Sequence, residues 1–315
     1  MTLLVSINTL IKLYMNNTAR SCLQATIKKI EGAYAPATIR AYKSNFENFI
    51  KYCEEKNEEA LPTSSDIVVS YIKSISDGRI KSASIRIAIA SIATIHKLNR
   101  FNDPVNDPDV KLEMRRMHRN LGRTSNQAYG INKELLGKMI AATSNDLRGI
   151  RDKALLSLAY DTLCRRGEIV SLDIEDIVYT NNQIKICLRK SKTDQNGIGR
   201  TLEINNGTKI HLLKWIKKSK IIRGKLFRGI KNNNEISTCL NKAQINKIFK
   251  KLALKANVDK EIIKKISAHS TRVGAAQNLL RSGASLATIL NKGRWTKIDT
   301  AMRYLEFCYE NIESI

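Results

Sequence analysis

The chain has 315 residues, 54 of them Lys or Arg and 29 Asp or Glu, for a net charge of +25. With 43% hydrophobic and 26% charged residues it reads as a folded soluble protein of about two domains, large enough to bury a core without disulfides. Its six cysteines form no CxxC pair and none sits beside His at zinc spacing, which excludes a disulfide scaffold and a zinc module and fits reduced thiols in the cytoplasm.

The surplus of Lys and Arg suits a polyanion, because cations displace the counterions condensed on nucleic acid. The competing explanation is a Lys- and Asn-rich composition with no partner attached. Residues 1–16 are an apolar leader interrupted by Lys12, too short to span a bilayer and followed by no cleavage signal. It is expected to be frayed or weakly helical, and Met15 is an alternative start.

Residues 17–31 read as a first helix. "PATIRAYKSNFENFIKYCEEKN" reads as a second, with Pro36 near its start and Ile39, Tyr42, Phe46, Phe49 and Ile50 at helical spacing. "TSSDIVVSYIKSIS" opens on a capping signal. "SASIRIAIASIATIHKLN" is apolar on most sides and is expected at the centre, with Arg86 and a few small polar residues outward. "DPDVKLEMRRMHRNL" completes an all-helical domain over 17–121. The polar, Gly-flanked stretch 122–131 is the expected linker, and 132–315 the second domain.

In that second domain, helices are expected at 132–144 and 148–163. "DIVYT", "QIKICLRK" and "GRTLEI" then read as strands of a small antiparallel sheet. Helices follow at 207–219 and 240–256, then one that begins near His269 and stops at Gly283. The fold class is therefore mainly α: an all-helical domain followed by a mixed α/β domain of helices with a small antiparallel sheet.

The residues that could carry chemistry lie in this second half. Arg165 and Glu168 are three apart, so they share a face if helical. Such a spacing is usually a surface ion pair. Here, however, it sits amid Leu155, Leu156, Leu158, Leu163, Ile169 and Val170, where an Arg needs a partner or an anionic ligand. His269 and Arg272 repeat the spacing near another helix start, whose free N–H groups also favour anions. A lone buried His is more often structural; the pairing with Arg argues for a phosphate. Lys192 stands at the turn of the expected hairpin, where a lysine is usually solvated but can also protonate a leaving oxygen. Tyr304, nine residues after Trp295, is a weak nucleophile unless its proton is removed and cations stabilise the phenolate. Trp295 can pack beside the phosphate and donate one N–H.

In the order Arg165, Lys192, His269, Arg272, Trp295, Tyr304 the chain resembles the tyrosine recombinases, and among them the Cre-like members. The similarity is strongest in "LAYDTLCRRGEIVSLDIEDI" and "SAHSTRVGAAQNLLRSGASLATILNKGRWTKIDTAMRY". The resemblance implies that Tyr304 is the nucleophile of a 3′-phosphotyrosyl intermediate. Arg165, Arg272, His269 and Trp295 would hold the phosphate, with Glu168 beside Arg165 and Lys192 as the general acid. Arg166 directly follows Arg165 and competes for its role; the spacing to Glu168 favours Arg165. The implied chemistry needs neither metal nor other cofactor.

The same resemblance implies double-stranded DNA with inverted recognition arms as substrate. It also implies a homotetramer on two DNA sites, exchange through a Holliday junction, and no membrane. It places candidate DNA-reading residues at Arg40 and Lys43, at Lys81, Ser84 and Arg86, and at Lys242, each of which is otherwise a solvated basic face. The rivals are a type IB topoisomerase-like strand relaxation, a DNA-binding protein that has lost cleavage, and an integrase with an arm-binding domain, for which the leader is too short. Eleven residues follow Tyr304. Their apolar and acidic side chains are expected to dock on a neighbouring protomer rather than on their own domain.

Overall fold

The computed structural model describes residues 2–78, 80–123, 127–180, 183–189 and 199–309, with the side chains of 2–15 and 306–309 left out. It divides into two compact units, Met1–Ser125 and Asn126–Ile315. Most of the described chain is helical, with one three-stranded antiparallel sheet.

The first unit contains α1 (Thr2–Lys29), α2 (Pro36–Glu55), α3 (Ser65–Ser76), α4 (Ser82–Leu98) and α5 (Pro108–Leu121). The leader is not separate from the first helix: its backbone continues α1 from Thr2. The stripe read in α2 is half right. Phe46, Phe49 and Ile50 are fully buried, while Ile39 and Tyr42 lie at the rim. They meet Val68 and Ile72 of α3 and Ile85, Ile92 and Ile95 of α4 in one core. On α4 the outward face holds Ala83, Ser84, Arg86 and Ala90 as expected, but Ile87 as well, at 45% exposure. Several polar groups here are paired across elements. His96 accepts the Thr63 N–H at 3.1 Å, and Arg20 forks onto Glu54 and Glu47 from α1 to α2.

The second unit contains α6 (Lys133–Ala141), α7 (Leu147–Asp161), α8 (Arg166–Ser171), β1 (Ile177–Thr180), β2 (Gln183–Leu188) and β3 (Arg200–Glu203). After these come α9 (Asn206–Ser219), α10 (Lys242–Lys255), α11 (Lys260–Lys265), α12 (Ser270–Arg281), α13 (Leu286–Gly293) and α14 (Ile298–Tyr309). Asn132, Asp146, Asn205, Asn241, Asp259 and Ser285 each cap a helix by accepting a backbone N–H from its first turn. β2 pairs with both neighbours, Ile186 opposite Ile177 and Leu202, and presents Ile184, Ile186 and Leu188 to the core.

α7 is central. Leu155, Leu156 and Leu158 are fully buried with Trp215 of α9 and Phe249 of α10. The expected helix 148–163 stops earlier, at Asp161, and the chain turns sharply at Leu163 (φ +49°). Half of the expected linker belongs to this unit: Ile131 is fully buried and its N–H donates to Ser270 O at 2.9 Å. Gly274 permits that approach, since a Cβ there would stand 1.8 Å from Ile131 O.

Candidate active site

The turn between α7 and α8 creates the site. A helix end leaves carbonyls without intrahelical partners. Here Thr162 O and Leu163 O are taken up by two buried arginines. Arg272 Nη1 donates to Leu163 O, and Arg294 donates to Thr162 O at 3.0 Å and to Leu163 O at 3.1 Å. The partial negative charge of the helix end and these cations attract each other.

Arg165 follows the turn as the N-cap of α8, with extended backbone (φ −70°, ψ 151°), so it shares no helix face with Glu168. The spacing works instead as a capping arrangement. Glu168 Oε2 accepts the Arg165 N–H at 2.8 Å, and Oε1 accepts the guanidinium at 2.9 Å. Glu168 Oε2 also accepts Arg294 Nη2 at 2.8 Å. Burial alone would push the Glu168 carboxyl up. The Arg294 guanidinium and the Arg165 N–H and side chain more than offset it, and the carboxyl stays below its ordinary range. Arg166 is exposed at the first position of α8, whereas Arg165 is half-buried.

His269 is the N-cap of α12 and Arg272 lies in its first turn. Arg272 is 1% exposed. Its Nη2 donates to Gly293 O at 2.8 Å, its guanidinium lies 5.0 Å from the Trp295 ring centre, and its Nε has no partner among the described residues. Burial, then Arg165 and Arg294, lower its pKa to about 10, so it remains a cation at neutral pH.

Trp295 folds back onto α13 because residue 293 is glycine; a Cβ there would lie 2.0 Å from the indole. The indole stacks on the Tyr304 ring, centres 5.1 Å apart at 30°. Tyr304, on α14, is half-buried, and its hydroxyl is hydrogen-bonded to His269 Nε2. Gln277 of α12 donates to Tyr304 O at 3.0 Å and fixes that turn of α14. Burial raises the phenol's pKa, against the pull of Arg272, Arg165 and Arg303. Loss of solvent around the ring, then Arg272 and Arg165, hold the His269 imidazole down at about 4, so it is neutral at pH 7. A neutral imidazole with Nε2 toward the phenol can accept its proton.

Arg165, Glu168, His269, Arg272, Trp295 and Tyr304 therefore converge. Lys192 lies outside the described residues. Arg40, Lys43, Lys81, Ser84, Arg86 and Lys242 are exposed. Sequence reasoning missed Arg294, which is 6% exposed. Nothing in the sequence marked it, since both oxygens of Glu168 are already met by Arg165.

Three guanidiniums against one carboxylate leave two surplus positive charges around a phenol and a neutral imidazole. That is a pocket for a phosphoryl group in a dianionic transition state, beside an oxygen nucleophile.

Comparison with known proteins agrees with this chemistry. The model of the phage integrase family matches residues 130–310. An integrase/recombinase xerD homolog of Selenomonas ruminantium is 27% identical over 93% of this chain and 87% of its own. The Cre recombinase of Escherichia phage P1 is 24% identical over 87% of this chain and 84% of its own. Likeness is thus spread across the family rather than confined to its Cre-like members. The crystal structure of a XerH site-specific recombinase bound to a palindromic difH substrate superposes with a TM-score of 0.67 at 18% identity, covering 94% of this chain and 83% of that one, which supports the fold. With the matched segment spanning every described member of the cluster, the chain belongs to the phage integrase family and is a site-specific tyrosine recombinase, an enzyme that transfers DNA strands.

Proposed function

We propose that Tyr304 attacks a scissile DNA phosphate held by Arg165 and Arg272, with His269 accepting the phenolic proton. The observation that carries this reading is the hydrogen bond between the Tyr304 hydroxyl and His269 Nε2 beside the buried Arg272. A bond forms between the phenolic oxygen and phosphorus, and the bond from phosphorus to the 5′-oxygen breaks. The strand is left with a 3′-phosphotyrosyl link and a free 5′-hydroxyl, which takes its proton from Lys192. Attack by a 5′-hydroxyl in reverse religates the strand, and exchange between two duplexes passes through a Holliday junction. The energy of the original bond is kept, and the guanidiniums supply the positive charge that phosphoryl transfer requires.

A bound phosphate also tunes the base. Its negative charge offsets Arg272 and Arg165, which are two of the causes holding the imidazole down. His269 is thus a weak base in the free enzyme and a stronger one on DNA.

In this reading the helical unit over 17–121 and the catalytic unit from 132 both grip duplex DNA. Arg40, Lys43, Lys81, Ser84, Arg86 and Lys242 are exposed, as contact with DNA requires. The protein acts as a homotetramer on two sites with inverted arms. Among the described residues no helix is long and apolar enough to cross a membrane.

The test is covalent trapping on a nicked suicide substrate. The unaltered protein is expected to form an adduct, and Tyr304→Phe to bind DNA equally and form none. An adduct that persists in Tyr304→Phe places the nucleophile elsewhere.

A further inference from the structure

Arg294 ends α13 in the left-handed region (φ 54°, ψ 48°), a conformation disfavoured for any residue with a Cβ. Something must hold it there, and the side chain shows what. Besides the two carbonyls that close α7, its guanidinium takes Glu168 Oε2, while Glu168 Oε1 takes Arg165. One carboxylate therefore bridges Arg165 and Arg294, whose other bonds hold the carbonyls that close α7. Capping the carbonyls alone would not require this bridge.

Building on the cleavage reading above, we propose that Arg294 is a positioning residue for strand cleavage: it fixes the Glu168 carboxylate and, through it, sets the Arg165 guanidinium against the scissile phosphate. The groups facing Glu168 are Arg165 and its N–H at the start of α8, Arg294 beyond α13, Arg272 from α12 and the Cys164 thiol in the turn. Burial penalises the carboxylate form, and Arg294 is the largest influence opposing that penalty. Without Arg294 the carboxyl gains a proton more readily, loses its grip on Arg165, and cleavage weakens as pH falls.

The test is single-turnover adduct formation between pH 5 and 8 by the full chain, with Tyr304→Phe as blank. Arg294→Gln is expected to slow adduct formation about tenfold or more at pH 7.5, with half-site affinity within about twofold. Its acid limb should move up by about one unit or more, the usual effect of losing a cation beside a carboxylate. Adding Glu168→Gln removes the group that titrates, so the shifted limb should vanish while any limb from His269 stays. Arg294→Lys keeps the charge and is expected to cleave with the acid limb unmoved, even should Arg294→Gln fail to fold.

A rate loss equal at every pH, a shifted limb that survives Glu168→Gln, or a shifted limb in Arg294→Lys would each overturn the proposal. Absence of adduct from the unaltered protein would refute instead the cleavage reading on which it rests.

Discussion

Gly293→Ala adds one methyl group at the point where the indole of Trp295 folds back on its own helix. The new Cβ would stand 2.0 Å and 2.1 Å from two indole carbons, against 3.4 Å for ordinary contact, so the ring must move by about 1.4 Å. The indole cannot move alone, because Tyr304 stacks on it and Arg272 lies over it. Overpacking of this kind costs about 1–3 kcal/mol. For the unit Asn126–Ile315, that corresponds to a melting temperature lowered by roughly 2–12 °C. The effect on chemistry should be larger than the effect on stability, since a displacement near 1 Å of a reacting group can cost about a hundredfold in rate. Thermal melting of the free protein reads the first quantity and single-turnover adduct formation the second, with half-site binding as control. A variant that melts within a degree of the unaltered protein and cleaves at its rate would refute the account of how Trp295 is seated.

Arg165→Ala should lower the cleavage rate by about 10²–10³, as loss of one charge-assisted contact to a transition-state oxygen does, while Arg166→Ala retains most of it; the reverse order in a trapping assay would exchange their roles. The ring protons of His269 should titrate by NMR with a midpoint near pH 4 in the free protein, moving upward when phosphate-bearing DNA neutralises Arg272 and Arg165. A midpoint at or above the ordinary 6.5 in the free protein would contradict the loss of solvent and the two neighbouring guanidiniums that hold it down. The sign for stability follows from linkage. The folded pKa lies below the unfolded one, so the unfolded chain takes the proton first as pH falls. His269's contribution is complete above about 6.5 and is lost between there and about 4, and His269→Gln should flatten that part of the melting profile.

The convergence of Arg165, Glu168, His269, Arg272, Trp295 and Tyr304 was legible because such residue types are costly without a reason. An arginine amid leucines and a His three residues before an Arg each demand a partner, and the resemblance to the tyrosine recombinases aligned them with Tyr304 as the proposed nucleophile. The helical core of the first unit was legible from the spacing of Phe46, Phe49 and Ile50. What escaped was set by tertiary contact. The helix expected to run to 163 ends at Asp161 in a turn at Leu163, where Arg272 and Arg294 satisfy the exposed carbonyls from elsewhere in the chain. That break is why Arg165 caps a helix instead of lying on one. Arg294 was invisible for the same reason: between Gly293 and Trp295 it reads as one more basic residue on a basic chain. Ile87 faces outward on α4 against its hydrophobicity, and periodicity alone could not assign it to that side.

The bonds that close the turn after α7 join residues far apart along the chain. Leu163 meets Arg272 and Arg294 across 109 and 131 positions, and Glu168 meets Arg294 across 126. Contacts of such separation form late, since the entropy of closing the intervening loops is spent before they give any return. A ribosome-borne chain that has completed α7 and the sheet still lacks Arg272, Arg294 and Tyr304. The exposed basic residues of the first unit are therefore made well before the groups proposed to cut a strand. On the cleavage reading proposed above, a chain that has emerged only as far as the sheet could touch nucleic acid without being able to nick it.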